Sequence, residues 1–282
     1  MSDATPATTP EPRGLKSNLA LRVMAALVLA PLALGAAWAG GLWWQLLAVA
    51  VGVGLFAEWA NIIGLGRAPV LGVGIAGIAI AGACLVAGRA GWVAPAGLVT
   101  LAALVAIAPA GKRAWSAGGF VYALAALVAA VILRGDPQFG LAALLFVFAI
   151  VWATDILGYF VGRGVGGPRL WPRVSPKKTW SGALGGLAGS AVAAAGFALG
   201  GHGAGLPLVA IALALSVVSQ AGDLFESAVK RRFGVKDSSH IIPGHGGLMD
   251  RLDGFIAVVA AAAIIGVARG GVEAAARGLM QW

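Results

Sequence analysis

Apolar residues in this chain come in runs of about twenty, the length at which an α-helix crosses the hydrocarbon core of a bilayer. Polar residues are confined to the stretches between those runs. A window of that length predicts helices near residues 20–39, 42–64, 69–88, 91–110, 116–134, 139–162, 179–200, 205–229 and 252–270. The expected fold class is therefore an all-α polytopic membrane protein with about nine transmembrane helices. Residues 1–18 are rich in Pro, Thr and Ala, lack apolar periodicity and read as a disordered cytoplasmic tail. The run over 19–40 follows a basic segment as a signal peptide would. It is nevertheless of spanning length with a long polar lead, and reads as an uncleaved first span. N-terminal transmembrane helices then occupy 19–135, and a C-terminal transmembrane catalytic region occupies 136–282 with cytoplasmic loops 163–181 and 230–251.

Composition agrees with this pattern: the chain is 60% hydrophobic and 11% charged, so lipid stands in for a soluble core. With the N-terminus cytoplasmic, only Arg89, Arg134, Arg269 and Arg277 fall outside, leaving sixteen of the twenty Lys and Arg on the cytoplasmic side. That asymmetry is the positive-inside rule, and it accounts for the net charge of +9. The chain carries no nucleic-acid motif and no stacking platform, so its basicity is assigned to topology, anionic headgroups and an anionic substrate. The expected location is the inner membrane of a bacterial-type cell, with the site facing the cytoplasm. A single cysteine, Cys84, excludes an internal disulfide. No GxxxxGK[ST] loop occurs, and no βαβ pattern surrounds any GxG. Small residues over 182–196 predict close helix packing and are compatible with a homodimer. Trp43, Trp44, Trp59, Trp92, Trp115, Trp171, Trp180 and Trp282 fall mostly near span ends and read as interfacial anchors.

The chemistry is concentrated between Asp223 and Asp253, a stretch holding five of the eleven acids and two of the three His. Ionisable groups gathered between apolar spans mark a functional site by default. Asp223, Glu226 and Lys230 share one helix face, and Asp250 and Asp253, three apart, open the last long apolar run. Between them lies a segment punctuated by Pro243, Gly244, Gly246 and Gly247, whose glycines let backbone N–H groups approach an anion. Carboxylates from two helix ends, with Lys230, Arg231, Arg232, Lys236, His240 and His245 around them, suit Mg²⁺ held jointly with substrate phosphates. The second polar concentration, 162–182, holds five cations and no acid. Its end, from Ser175 through Lys177, Lys178 and Thr179, leads into a helix start that favours phosphate. Two acids lie inside spans. Asp155, in the run WATDILGYFVGR, reads as a site residue. Glu58 either lines the site or pairs with Arg67.

The run Ser227-Ala-Val-Lys230-Arg231, followed by Lys236-Asp237, Ser239, Ile242-Pro243, His245-Gly246-Gly247-Leu248 and Asp250-Arg251-Leu252-Asp253, resembles the signature of the phosphatidate cytidylyltransferase (CDP-diacylglycerol synthase) family. Every position of that pattern is filled. Ser175-Pro-Lys-Lys-Thr-Trp-Ser-Gly182 resembles a shorter element of the same family.

The resemblance implies that CTP and phosphatidate react in the membrane, with Mg²⁺, to give CDP-diacylglycerol and pyrophosphate; a second divalent or a monovalent cation is left open. Asp223, Asp250 and Asp253 are expected to hold metal, and Lys230, Arg231, Lys236 and Arg251 to bind triphosphate, lipid phosphate or both. Asp237 belongs to the same expected catalytic set. His245 and the Gly246-Gly247 backbone would shape the anion pocket, closed by Ser175, Lys177, Lys178 and Thr179 with Asp155 nearby. The alternatives are a membrane lipid kinase, a cytidylyltransferase acting on another lipid phosphate, and a transporter.

Overall fold

The computed structural model describes residues 15–67, 69–239, 241–242 and 246–282, with the backbone alone for 15–23, 25 and 26. The expected tail therefore lies outside the described residues over 1–14, and its last four positions are already helical. The helices are α1 (Leu15–Ala39), α2 (Gly41–Ile62), α3 (Pro69–Val86), α4 (Val93–Ile107), α5 (Arg113–Gly135), α6 (Gly140–Val165), α7 (Trp180–Leu199), α8 (Gly205–Arg232), α9 (Met249–Gly270) and a short α10 (Ala275–Met280). Among the described residues, eight are long and apolar enough to cross a membrane, and α1 contributes a shorter apolar stretch, Leu27–Ala39.

The differences from the hydropathy pattern occur where charge begins. Helix α8 runs on to Arg232, through Lys230 and Arg231 in its last turn, where cations meet the negative end of the helix dipole. Helix α9 starts at Met249, ahead of its two acids. The segment expected as a loop over 163–181 contains an antiparallel hairpin, β1 (Arg169–Trp171) and β2 (Ser175–Thr179), with Arg169 opposite Thr179. Strands this short leave no periodicity for a sequence reading to detect.

The outward faces stay apolar: Val99, Val192 and Ile264 are exposed, as suits lipid rather than water. Inside, Phe56 of α2 meets Phe120 of α5 edge-on at 6.1 Å, and Phe148 of α6 stacks on Phe255 of α9 at 5.1 Å. Trp44 and Trp59 are not interfacial anchors. Both are buried, with their indole N–H groups donating to the carbonyls of Ala130 and Trp115 at 2.9 and 2.8 Å. Trp43, Trp92, Trp171, Trp180 and Trp282 are exposed. Helix α7 lies directly on α6, where a Cβ on Gly182 would come within 2.7 Å of the Gly158 carbonyl oxygen. Close packing is thus the use made of the glycines there.

Candidate functional site

Helix directions alternate, so the C-terminal ends of α6 and α8, the N-terminal ends of α7 and α9, and the hairpin gather at one end of the bundle. A cleft of about 980 Å³ opens among α6, the hairpin, α7 and α8, lined by Asp155, Tyr159, Arg163, Arg169, Lys177, Lys178, Thr179, Gln220 and Asp223 among others. Thr179 starts α7 by accepting the Gly182 amide at 3.1 Å on its hydroxyl, which fixes the strand next to it. Lys178, beside that cap, forms an ion pair with Asp223 of α8. The two polar stretches singled out in the sequence thus meet. The charges of both Lys178 and Arg251 reach Asp155. Asp155, an acid inside an apolar helix, lines the cleft together with Lys178.

The acids of α8 and α9 are brought together by a close helix crossing. A Cβ on Gly222 would lie 2.8 Å from the carbonyl oxygen of Asp253, so a larger residue beside Asp223 would push the helices apart. Asp253 consequently feels the charges of Asp223, Glu226 and Asp155. Among the described residues, no three of His, Cys, Asp or Glu converge tightly enough to enclose an ion by themselves. Asp223 and Asp253 are the carboxylates here that could take part in holding an ion, one or two carboxylates with substrate phosphates being the usual shell of Mg²⁺.

Behind the cleft lies a second polar assembly whose members partner one another. Lys230 is buried and donates to Glu226 at 3.1 Å and to Asp250 at 2.5 Å. Asp250 accepts on its other oxygen from the amides of Ser238 and Gly247, both at 2.8 Å, and from the Ser238 hydroxyl at 3.0 Å. The glycine-rich turn therefore does bring a backbone N–H to an anion, but the anion is Asp250 of the same chain. A side chain at Gly247 has no room, because its Cβ would fall 2.6 Å from the Glu58 carboxylate.

Glu58 of α2 is fully buried. Of the two sequence expectations, neither describes it: it is absent from the cleft lining, and no ion pair with Arg67 is present among the described residues. Instead it accepts from the Ser238 and Ser239 hydroxyls at 2.9 and 2.6 Å, and from the Leu248 and Met249 amides at 2.8 and 2.7 Å.

The remaining expected residues are more dispersed. Lys236, Asp237 and Arg251 are exposed. Arg231 is also exposed, donating to the Val235 carbonyl at 3.2 Å. Ser175 lies at the start of β2. Gly246 takes a left-handed turn at φ 85°, with its carbonyl accepting the Ile242 amide at 3.0 Å. His240 and His245 lie outside the described residues. Sequence reasoning missed Gln220 and Arg169 as cleft residues, although a lone Gln in an apolar run was a signal it could have used.

The Cytidylyltransferase family's sequence profile matches residues 20–268. A phosphatidate cytidylyltransferase of Brucella abortus biovar 1 is 41% identical over 251 residues, covering 86% of this chain and 92% of that protein. The Bacillus subtilis phosphatidate cytidylyltransferase is 44% identical over 132 residues, 45% of this chain and 48% of that one. The Haemophilus influenzae protein of the same name is 45% identical over 130 residues, 44% of this chain and 45% of that one.

Proposed function

The chain belongs to the cytidylyltransferase family, and from that premise we infer that it transfers the cytidylyl group of CTP to phosphatidate, giving CDP-diacylglycerol and pyrophosphate. The contact of Lys178 with Asp223 is the observation that carries this onto the geometry, because it joins the cationic hairpin to the acidic helix end across one cleft. In the reaction an oxygen of the phosphatidate phosphate bonds to the α-phosphorus of CTP. The bond from that phosphorus to the bridging oxygen breaks, and pyrophosphate leaves with the electron pair. The nucleophile is already an anion, so no general base is required.

The difficulty is to bring two polyanions together. At an effective dielectric of about 20, a pair of unit charges ~4 Å apart interacts by roughly 4 kcal/mol. The cleft offers Arg163, Arg169, Lys177 and Lys178 to offset that repulsion and to orient both phosphates. Asp223, Asp250 and Asp253 are the carboxylates that would hold Mg²⁺, Asp250 being paired with Lys230 in this structure. When bound, the ion supplies charge neutralisation at the transferring phosphate. Arg231, Lys236 and Arg251, which lie outside the cleft lining, would bind triphosphate, lipid phosphate or both.

The same reading makes α1 a ninth span and puts the cleft on the cytoplasmic side of the inner membrane, where CTP is available. The crowding of Lys and Arg at the cleft end supports that orientation. A homodimer through small-residue helix faces also fits, and light scattering of the detergent-solubilised protein decides it. The central test is incubation of the purified full chain with labelled CTP, phosphatidate and Mg²⁺. Formation of CDP-diacylglycerol with pyrophosphate is expected; release of CDP with a phosphorylated lipid would make the protein a kinase instead.

A further inference from the structure

Glu58 belongs to none of the motifs that carry the chemistry, yet its carboxylate reaches into their centre. Helix α9 begins without any side-chain cap from its own N-terminal residue, Leu248. The first N–H groups of a helix need partners, and here the Leu248 and Met249 amides find them on Glu58, 190 and 191 residues away. An anion at this position also meets the positive end of the α9 dipole. The other two donors, Ser238 and Ser239, belong to the loop before α9. One carboxylate therefore ties the α8–α9 loop and the start of α9 to α2.

The post that carries Glu58 is rigid. Neighbouring Trp59 is pinned by its indole bond to Trp115 and stacks on Phe225 of α8 at 6.2 Å. One turn before Glu58, the bare face of Gly54 accepts the Leu248 side chain, which would be 2.8 Å from a Cβ there. The link to the chemistry runs through Ser238. Its single hydroxyl proton is shared between Glu58 at 2.9 Å and Asp250 at 3.0 Å, and its amide holds Asp250 as well.

We propose that Glu58 is the positioning residue of this enzyme: it sets the start of α9, and with it the placement of Asp250 and Asp253, without touching substrate. This rests on the cytidylyl-transfer reading. Its test therefore pairs turnover with a readout that does not need activity. The full chain in detergent is compared as wild type, Glu58→Gln and Ser239→Ala, by steady-state kinetics, thermal unfolding and amide hydrogen exchange.

Loss of a partner that orients functional carboxylates costs roughly 10–100-fold. Glu58→Gln should lose that much kcat, with the KM for phosphatidate within about twofold and faster exchange confined to the start of α9 and the loop before it. Ser239→Ala removes one donor of four and should show the same pattern more weakly, which keeps the idea open to refutation if Glu58→Gln does not fold. Wild-type kcat per folded molecule in both variants, or in Ser239→Ala when Glu58→Gln is unfolded, overturns it. So does accelerated exchange spread evenly over all helices. An inactive wild type would instead count against the reaction assigned above, while the exchange pattern still tests the positioning role.

Discussion

Lys178, at the end of the hairpin's second strand, pairs with Asp223 in α8 and so bridges two polar segments that are 45 residues apart in the chain. Both side chains remain partly exposed, at 29% and 25%. The pair is therefore open to solvent, and each member can exchange its partner for a phosphate or a cation.

Asp223→Asn should abolish cytidylyl transfer while leaving the protein folded, because a partly exposed ion pair contributes only ~0–1 kcal/mol to stability. Lys178→Ala should mainly raise the KM for a phosphorylated substrate, by tenfold or more if a hydrogen bond to a charged group is worth about 1.5–3 kcal/mol. Initial rates alongside thermal unfolding check both. Near wild-type turnover by the Asp223 variant would remove that residue from the site.

Asp250→Asn should fail differently. It strips a charge from the buried Lys230 and leaves that ammonium with Glu226 as its remaining carboxylate. Breaking a buried ion pair costs about 3–5 kcal/mol, and the surviving partner puts this case at the lower end. We expect a clear fall in the unfolding midpoint, followed by tryptophan fluorescence, together with lost turnover. An unmoved midpoint would show that the pair is not structural.

Two glycine substitutions separate crowding from helix propensity. Gly247→Ala drives a methyl group between Ser238 and the Glu58 carboxylate, so it should destabilise the α9 start and cost most of the activity. Gly164→Ala meets nothing within 4 Å near the end of α6, and should be neutral or stabilising by up to ~1 kcal/mol. If the two variants behave alike in unfolding and turnover, the steric argument fails.

Chelation of divalent cations should stop turnover, and Mg²⁺ should restore it, with little change in the unfolding midpoint. Asp223, Glu226 and Asp250 already have protein partners in Lys178 and Lys230, and α8 packs closely on α9 at Gly222, so the helices do not depend on an ion to stay together. Full turnover in excess chelator would rule out the metal role given to Asp223 and Asp253.

Hydropathy and charge along the chain were enough to determine the membrane class, the positions of the long helices, the two cationic segments and the motif that identifies the family. Each of these is a local property: a helix in lipid satisfies its own backbone hydrogen bonds, so its existence depends on the length and apolarity of one run. Partnerships were beyond that reading. Glu58 looked like a site residue or an interfacial ion pair, and only packing against Trp59, Gly54 and the start of α9 made it a cap for Met249. Lys230 and Gly247 carry the groups a phosphate site needs, yet the folded chain directs both to Asp250. Which donor meets which acceptor depends on where helices cross to within an ångström, and that distance is fixed by contacts between residues far apart in sequence.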